Sequence, residues 1–124
     1  MEGLKLLPRY IINLGFIKGL RLFFDVELLR KQTINISGYS SPVFLRSATT
    51  DYRVLREVFL FKEYDFNAHS KVSVVVDAGA NIGLSSVFMN NKFPDASIYA
   101  IEPDKANYDA LLKNVEEYKN VTAI

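Results

Sequence analysis

The stretch VSVVVDAGANIGLSSVFM, residues 72–89, decides how the rest of the chain is read. A run of valines ends in Asp77. Gly79 and Gly83 follow with three residues between them, and the chain then turns polar and helix-like. A continuous apolar run of this kind is the pattern of a strand buried on both faces of a parallel sheet. Working toward the C-terminus, residues 84–93 read as a helix that Pro94 ends. SIYAIE (97–102) reads as a second strand, and DKANYDALLKNVEEYKN (104–120) as a second helix. That helix sets Tyr108, Leu111, Leu112, Val115 and Tyr118 on one face. VTAI (121–124) looks like a third strand just beginning. Strand, helix, strand, helix, strand implies an α/β fold with parallel pairing and right-handed crossovers. A short parallel sheet of three strands leaves an apolar edge and uncovered faces, so the chain is expected to be the first part of a longer protein.

Working toward the N-terminus, residues 1–70 read as a leading segment and 71–124 as the incomplete α/β domain. TINIS (33–37) and PVFLR (42–46) flank GYSS (38–41), a β-hairpin pattern. TTDYRVLREVFLFKEY (49–64) carries a helix in which Thr49 or Thr50 caps the start and Asp51 lies in the first turn. Leu55, Val58 and Phe59 share its apolar face, leaving Arg53, Arg56 and Glu57 to water. The first 29 residues are apolar with scattered cations. Their longest charge-free piece, Tyr10 to Ile17, is too short to span a bilayer, and no small-residue cleavage site closes the segment. One or two helices packed on the rest of the protein are expected, with weak contact to a membrane surface as the functional alternative. Gly15 and Gly19 form a GxxxG outside any long apolar segment, a weak signal for helix pairing.

Composition narrows the function classes. Hydrophobic residues make up 49% and charged residues 23% of the 124, as in a globular, cytosol-like protein, and the expected location is cytoplasmic. A net charge of +1 argues against nucleic acid as a partner. With no cysteine and a single histidine, His69, neither disulfides nor a cysteine or multi-histidine metal site is expected.

The chemistry lies in the glycine turn. Ligands of open parallel sheets bind beyond the carboxyl ends of the strands, where Asp77 ends the first strand and Glu102 the second. Gly79 permits the tight turn, and Gly83 opens the next helix and lets it lie close to the strand. The dinucleotide fingerprint G-x-G-x-x-G is not met, because Asn81 stands at the middle glycine, and no lysine of a phosphate-binding loop follows. An acid just before the turn repels phosphate but accepts from hydroxyls, amines and cations. The loop therefore prefers a nucleoside ligand with a positive group and no phosphate, which describes S-adenosylmethionine. Glu102 follows Asp77 by 25 positions, near the ~20-residue spacing from a glycine loop to a ribose-binding acid. An NAD(P)-binding oxidoreductase and a non-catalytic fragment are the alternatives.

VVVDAGANIGLSSV and IYAIEPDKANYDALLKNV together resemble the donor-binding motifs of class I S-adenosylmethionine-dependent methyltransferases, and within them the FkbM type. The D-x-G-A-N-x-G motif of that type matches Asp77, Gly79, Ala80, Asn81 and Gly83. Its E-P and following helix match Glu102, Pro103, Asn107, Tyr108, Leu111 and Asn114, and its lead-in is similar to residues 45–66. The resemblance implies a seven-stranded Rossmann-like sheet of which only the first strands are present. It also implies methyl transfer to a hydroxyl of a sugar, glycan or secondary metabolite. It places Asp77 and the Gly79–Gly83 loop against the methionine and adenosine parts of the donor and Glu102 on its ribose. Glu63 and Tyr64 approach the methionine end. No residue is assigned as the base: His69 reads as a solvated loop histidine and Tyr99 as core. Arg46 and Asp51 either touch ligand or pair with each other, and Asn81 contacts ligand and caps the next helix.

Overall fold

The computed structural model describes residues 3–124. They form two compact units, one ending at Phe61 and the other beginning at Lys62.

In the first unit a short 3-10 turn leads into α1 (Leu7–Leu14), which meets α2 (Phe16–Phe23) at Gly15. The two helices pack closely: a Cβ on Gly19 would stand 2.3 Å from the Tyr10 carbonyl oxygen. The Gly19 of the GxxxG is thus a contact within this chain. α2 runs on into a wide π-helical turn, Phe24–Leu28, in which the Leu29 N–H donates five residues back to the Phe24 carbonyl. The expected hairpin is present but short: β1 (Thr33–Ile34) pairs antiparallel with β2 (Val43–Phe44). The expected helix is also present, as α3 (Asp51–Leu55) followed by a second π-helical turn, Arg56–Leu60.

Leu55, Val58 and Phe59 are buried as their spacing predicts. Arg56 is not left to water. Its guanidinium donates to Glu27 Oε1 at 3.0 Å, and the Tyr10 hydroxyl donates to the same oxygen at 2.7 Å. Burial, then the bond to Glu27, push the Tyr10 phenol far above its ordinary value. Periodicity could not reveal this pairing, because Glu27 sits on the other wide turn, 29 residues away.

Arg46 and Asp51 pair with each other. The Arg46 guanidinium grips both Asp51 oxygens at 2.9 Å, and the Arg46 backbone N–H adds a third bond at 2.8 Å. Neither Thr50 nor Thr49 caps α3 in the usual way. Thr49 Oγ1 instead accepts from the Asp51 N–H at 3.2 Å and donates to the Arg46 carbonyl at 3.0 Å, closing the same knot. Burial alone would raise the Asp51 carboxyl. The bonds from Arg46 and Thr49 outweigh it and hold the group below its ordinary value.

The second unit is a parallel sheet in the order β3 (Val74–Ala78), β4 (Ser97–Ile101), β5 (Val121–Ala123). α4 (Leu84–Lys92) and α5 (Lys105–Val115) are the crossovers. With strands in sequential order, right-handed crossovers place both helices on one face. Burial follows. Ile98 and Ala100 are fully buried, whereas Val74, Val76, Tyr99 and Ile101 on the other face are 38–62% exposed. This corrects two expectations. The valine run is not covered on both faces, and Tyr99 is not core, because no element of the unit packs on its side of the sheet.

The face of α5 is also shifted. Ala110, Leu111, Asn114, Val115 and Tyr118 are buried, while Leu112 stands out. Asp104 caps α5 by accepting from the Asn107 N–H at 2.9 Å. Residues 62–70, read from sequence as the tail of the leading segment, belong to this second unit. Lys92 binds Asp65 and lies over the rings of Phe66 and Phe93, tying that stretch to the end of α4.

Candidate functional site

The carboxyl ends of β3 and β4 lie side by side. Asp77 pairs in register with Ala100 and Ala78 with Ile101, so Glu102 emerges opposite the start of the glycine loop. The loop is folded onto that neighbouring strand end. The N–H groups of Gly79 and Ala80 both donate to the Ile101 carbonyl at 2.9 Å, and the Asn81 N–H donates to Glu102 Oε2 at 2.7 Å. The other Glu102 oxygen accepts from the Asp104 N–H at 2.9 Å. The carboxylate thus links the loop to the start of α5, and each of its oxygens retains a lone pair for a further donor.

The two glycines have different duties. Gly79 has φ +77° and nothing within 4 Å of an added Cβ, so backbone conformation requires it and the space beside it stays open. Gly83 has φ +86°, and a Cβ there would stand 2.6 Å from Leu111 Cδ1 and 3.2 Å from Val115 Cγ1. Gly83 therefore lets α4 approach α5, rather than the strand as its position had implied. Asn81 adopts a left-handed conformation, φ +53°. It does not cap α4, whose N-cap is Gly83 without a side-chain bond.

Asp77 is held from the first turn of α4. The hydroxyls of Ser85 and Ser86 both donate to its Oδ2 at 2.6 Å, while Oδ1 accepts no hydrogen bond among the described residues. The carboxylate is therefore fixed in orientation with one oxygen uncommitted. Ser86 is fully buried and Ser85 nearly so, which shields both bonds from water. Behind the loop, the buried Asn114 amide donates to the Ile82 carbonyl at 2.8 Å. Ser85, Ser86 and Asn114 were not singled out as site residues. The available signals were the two hydroxyls one turn into the helix that follows the glycines, and a polar residue at a core position of α5.

Of the residues expected at the site, Asp77, Gly79, Ala80, Asn81, Gly83 and Glu102 belong to this one cluster at the strand ends. Glu63 and Tyr64 lie in an exposed turn that makes no hydrogen bond to the loop. His69 lies in exposed coil. Among the described residues no three His, Cys, Asp or Glu side chains are grouped to hold a metal ion.

No protein-family model matches the chain. Over 69 residues, 56% of this chain and 27% of the relative, it is 36% identical to Methyltransferase 1 of Beauveria bassiana (strain ARSEF 2860). Over 62 residues, 50% of this chain and 24% of the relative, it is 42% identical to Methyltransferase sdnD of Sordaria araneosa. The chain spans about a quarter of the length of these curated relatives, and over about half its own length it is similar to fungal methyltransferases.

Proposed function

We propose that this chain carries the donor-binding part of an S-adenosylmethionine-dependent methyltransferase of the FkbM type. The observation that carries the reading is the way the loop spends its backbone donors. Gly79, Ala80 and Asn81 direct their N–H groups at Ile101 and Glu102, so these three are not turned toward a pyrophosphate as in a dinucleotide loop. Two carboxylates, Asp77 and Glu102, end adjacent strands at this loop, and acids there favour hydroxyls and cations over phosphate. The similarity to two fungal methyltransferases supports the same class. The division of labour follows: residues 71–124 form the start of the donor domain, and the leading segment precedes it.

The residues present fit that donor. Glu102 retains lone pairs for ribose hydroxyls, Asp77 Oδ1 is uncommitted for the positively charged methionine part, and Gly79 leaves space for close approach. Glu63 is a further candidate for the methionine end. When bound, the donor supplies a methyl group already activated by its sulfonium. The protein's share is orientation: Ser85 and Ser86 fix Asp77, and Glu102 fixes the loop. The acceptor we propose is a hydroxyl of a small molecule or glycan, with no nucleic acid involved, in the cytoplasm.

Calorimetric titration with S-adenosylmethionine, S-adenosylhomocysteine and NAD tests the reading. Both methionine nucleosides are expected to bind. Asp77→Asn and Glu102→Gln, which keep the size of each group, should each weaken binding about 10- to 100-fold, as for loss of a charged hydrogen-bond partner. Binding of NAD alone, or of none of the three, overturns it.

A further inference from the structure

Residues 3–24 carry Lys5, Arg9, Lys18 and Arg21 and no acidic residue. The first acids that follow them in the chain are already committed: Asp25 to Lys31 at 2.6 Å and Glu27 to Arg56 at 3.0 Å. Lys5, Lys18 and Arg21 form no ion pair among the described residues, and Arg9 lies over the Phe61 ring.

The same segment exposes large apolar side chains. α2 buries Gly19, Leu22 and Phe23. Its opposite side, carried on through the π-helical turn, presents Ile17, Arg21, Phe24 and Leu28 at i, i+4, i+7 and i+11. Ile17 is 80% exposed, and beside it at the Gly15 corner Ile12 is 79% and Phe16 66% exposed. A soluble domain rarely leaves such residues clustered in water. Next to them is a cavity of about 280 Å³ in which Lys18, Arg21, Asn35 and Ser37 surround a floor of Leu22 and Ile36.

We propose that this corner docks on an anionic membrane surface. Ile12, Phe16 and Ile17 enter the boundary between headgroups and acyl chains, and Lys18 and Arg21, with Asn35 and Ser37, take a headgroup phosphate in the cavity. Charge decides for lipid. Four cations without an acid between them are matched by a surface of phosphates, and Lys and Arg on such a surface keep their charges wet while their stems lie along apolar groups. No helix among the described residues is long and apolar enough to cross a membrane, so the contact lies along the surface.

The sequence contains no tryptophan, so Phe16→Trp places a single fluorescent reporter at the corner. The probe is a vesicle of phosphatidylcholine with about 30% phosphatidylserine, against phosphatidylcholine alone. A blue shift and co-flotation are expected with the anionic vesicle only, and both weaken as salt is raised. Replacing Lys18 and Arg21 together by Gln should lower partitioning about 30-fold. Ile12→Ser with Ile17→Ser should remove the blue shift while helix content by circular dichroism is kept. If that pair disturbs folding, the Lys18 and Arg21 variant decides alone. Equal partitioning into neutral vesicles, no blue shift with either vesicle, or concentration-dependent self-association without vesicle binding each overturns the proposal. None of these readouts involves S-adenosylmethionine, so failure here leaves the donor site standing.

Discussion

Gly83 shows how one missing side chain links the loop to the fold. Its left-handed backbone and the 2.6 Å approach of Leu111 Cδ1 to a Cβ position impose the same requirement from two directions. Gly83→Ala meets both a conformational penalty and an overpacked α4–α5 contact, and should cost about 2–4 kcal/mol by urea denaturation. Gly79 has the same sign of φ and no neighbour, so Gly79→Ala meets the conformational penalty alone and should cost about 1 kcal/mol. Equal costs at the two sites would refute this division. The D-x-G-A-N-x-G pattern marks both glycines alike. Only the placement of α5 separates a glycine needed for conformation from one needed also for packing.

At the scale of elements, the sheet has a covered and an uncovered face, and the two should respond differently to truncation. Ile98 is fully buried on the helix side, and Ile98→Ala should cost about 2–5 kcal/mol. Val76 on β3, paired in register with Tyr99, is 62% exposed on the open side, and Val76→Ala should change stability by less than about 1 kcal/mol. Chemical denaturation of the two variants checks this, and a large loss at Val76 would mean that something covers that face. Strand and helix order were readable from the alternation of apolar runs and amphipathic segments. The two-sided burial of VSVVV was misread, because an apolar run records what a strand can tolerate on each face and not which element arrives there. Leu112 departs for a related reason: the packed face of α5 is turned toward Ala110 and Asn114, small and polar positions that a pattern of large apolar residues does not record.

For the whole molecule, the acid limb of stability should depend on the knot of Arg46, Thr49 and Asp51. A carboxyl held below its ordinary value stabilises the fold above the unfolded-state pKa, and that contribution is lost as pH falls through the lower folded-state value. Asp51 is fully buried while Arg46 keeps 25% of its side-chain surface, so Asp51→Asn should cost about 2–3 kcal/mol at pH 7, below the range for fully buried pairs. The gap from the parent chain should narrow as pH drops below about 4 in urea titrations across pH 7 to 3. A gap independent of pH would show that shape, not charge, is what Asp51 contributes.

The sequence by itself determined the order of strands and helices from β3 onward, the position of the glycine turn and the placing of two acids at adjacent strand ends. These follow from periodicity and from local backbone demands, which act over a few residues. Tertiary structure alone decided that Ser85 and Ser86 hold Asp77, that Asn114 supports the loop from 32 residues away, and that Arg56 finds Glu27. Each of these depends on groups 8–32 residues apart in sequence meeting at one point. Crossover handedness and helix packing set that meeting, and no repeat along the chain records it.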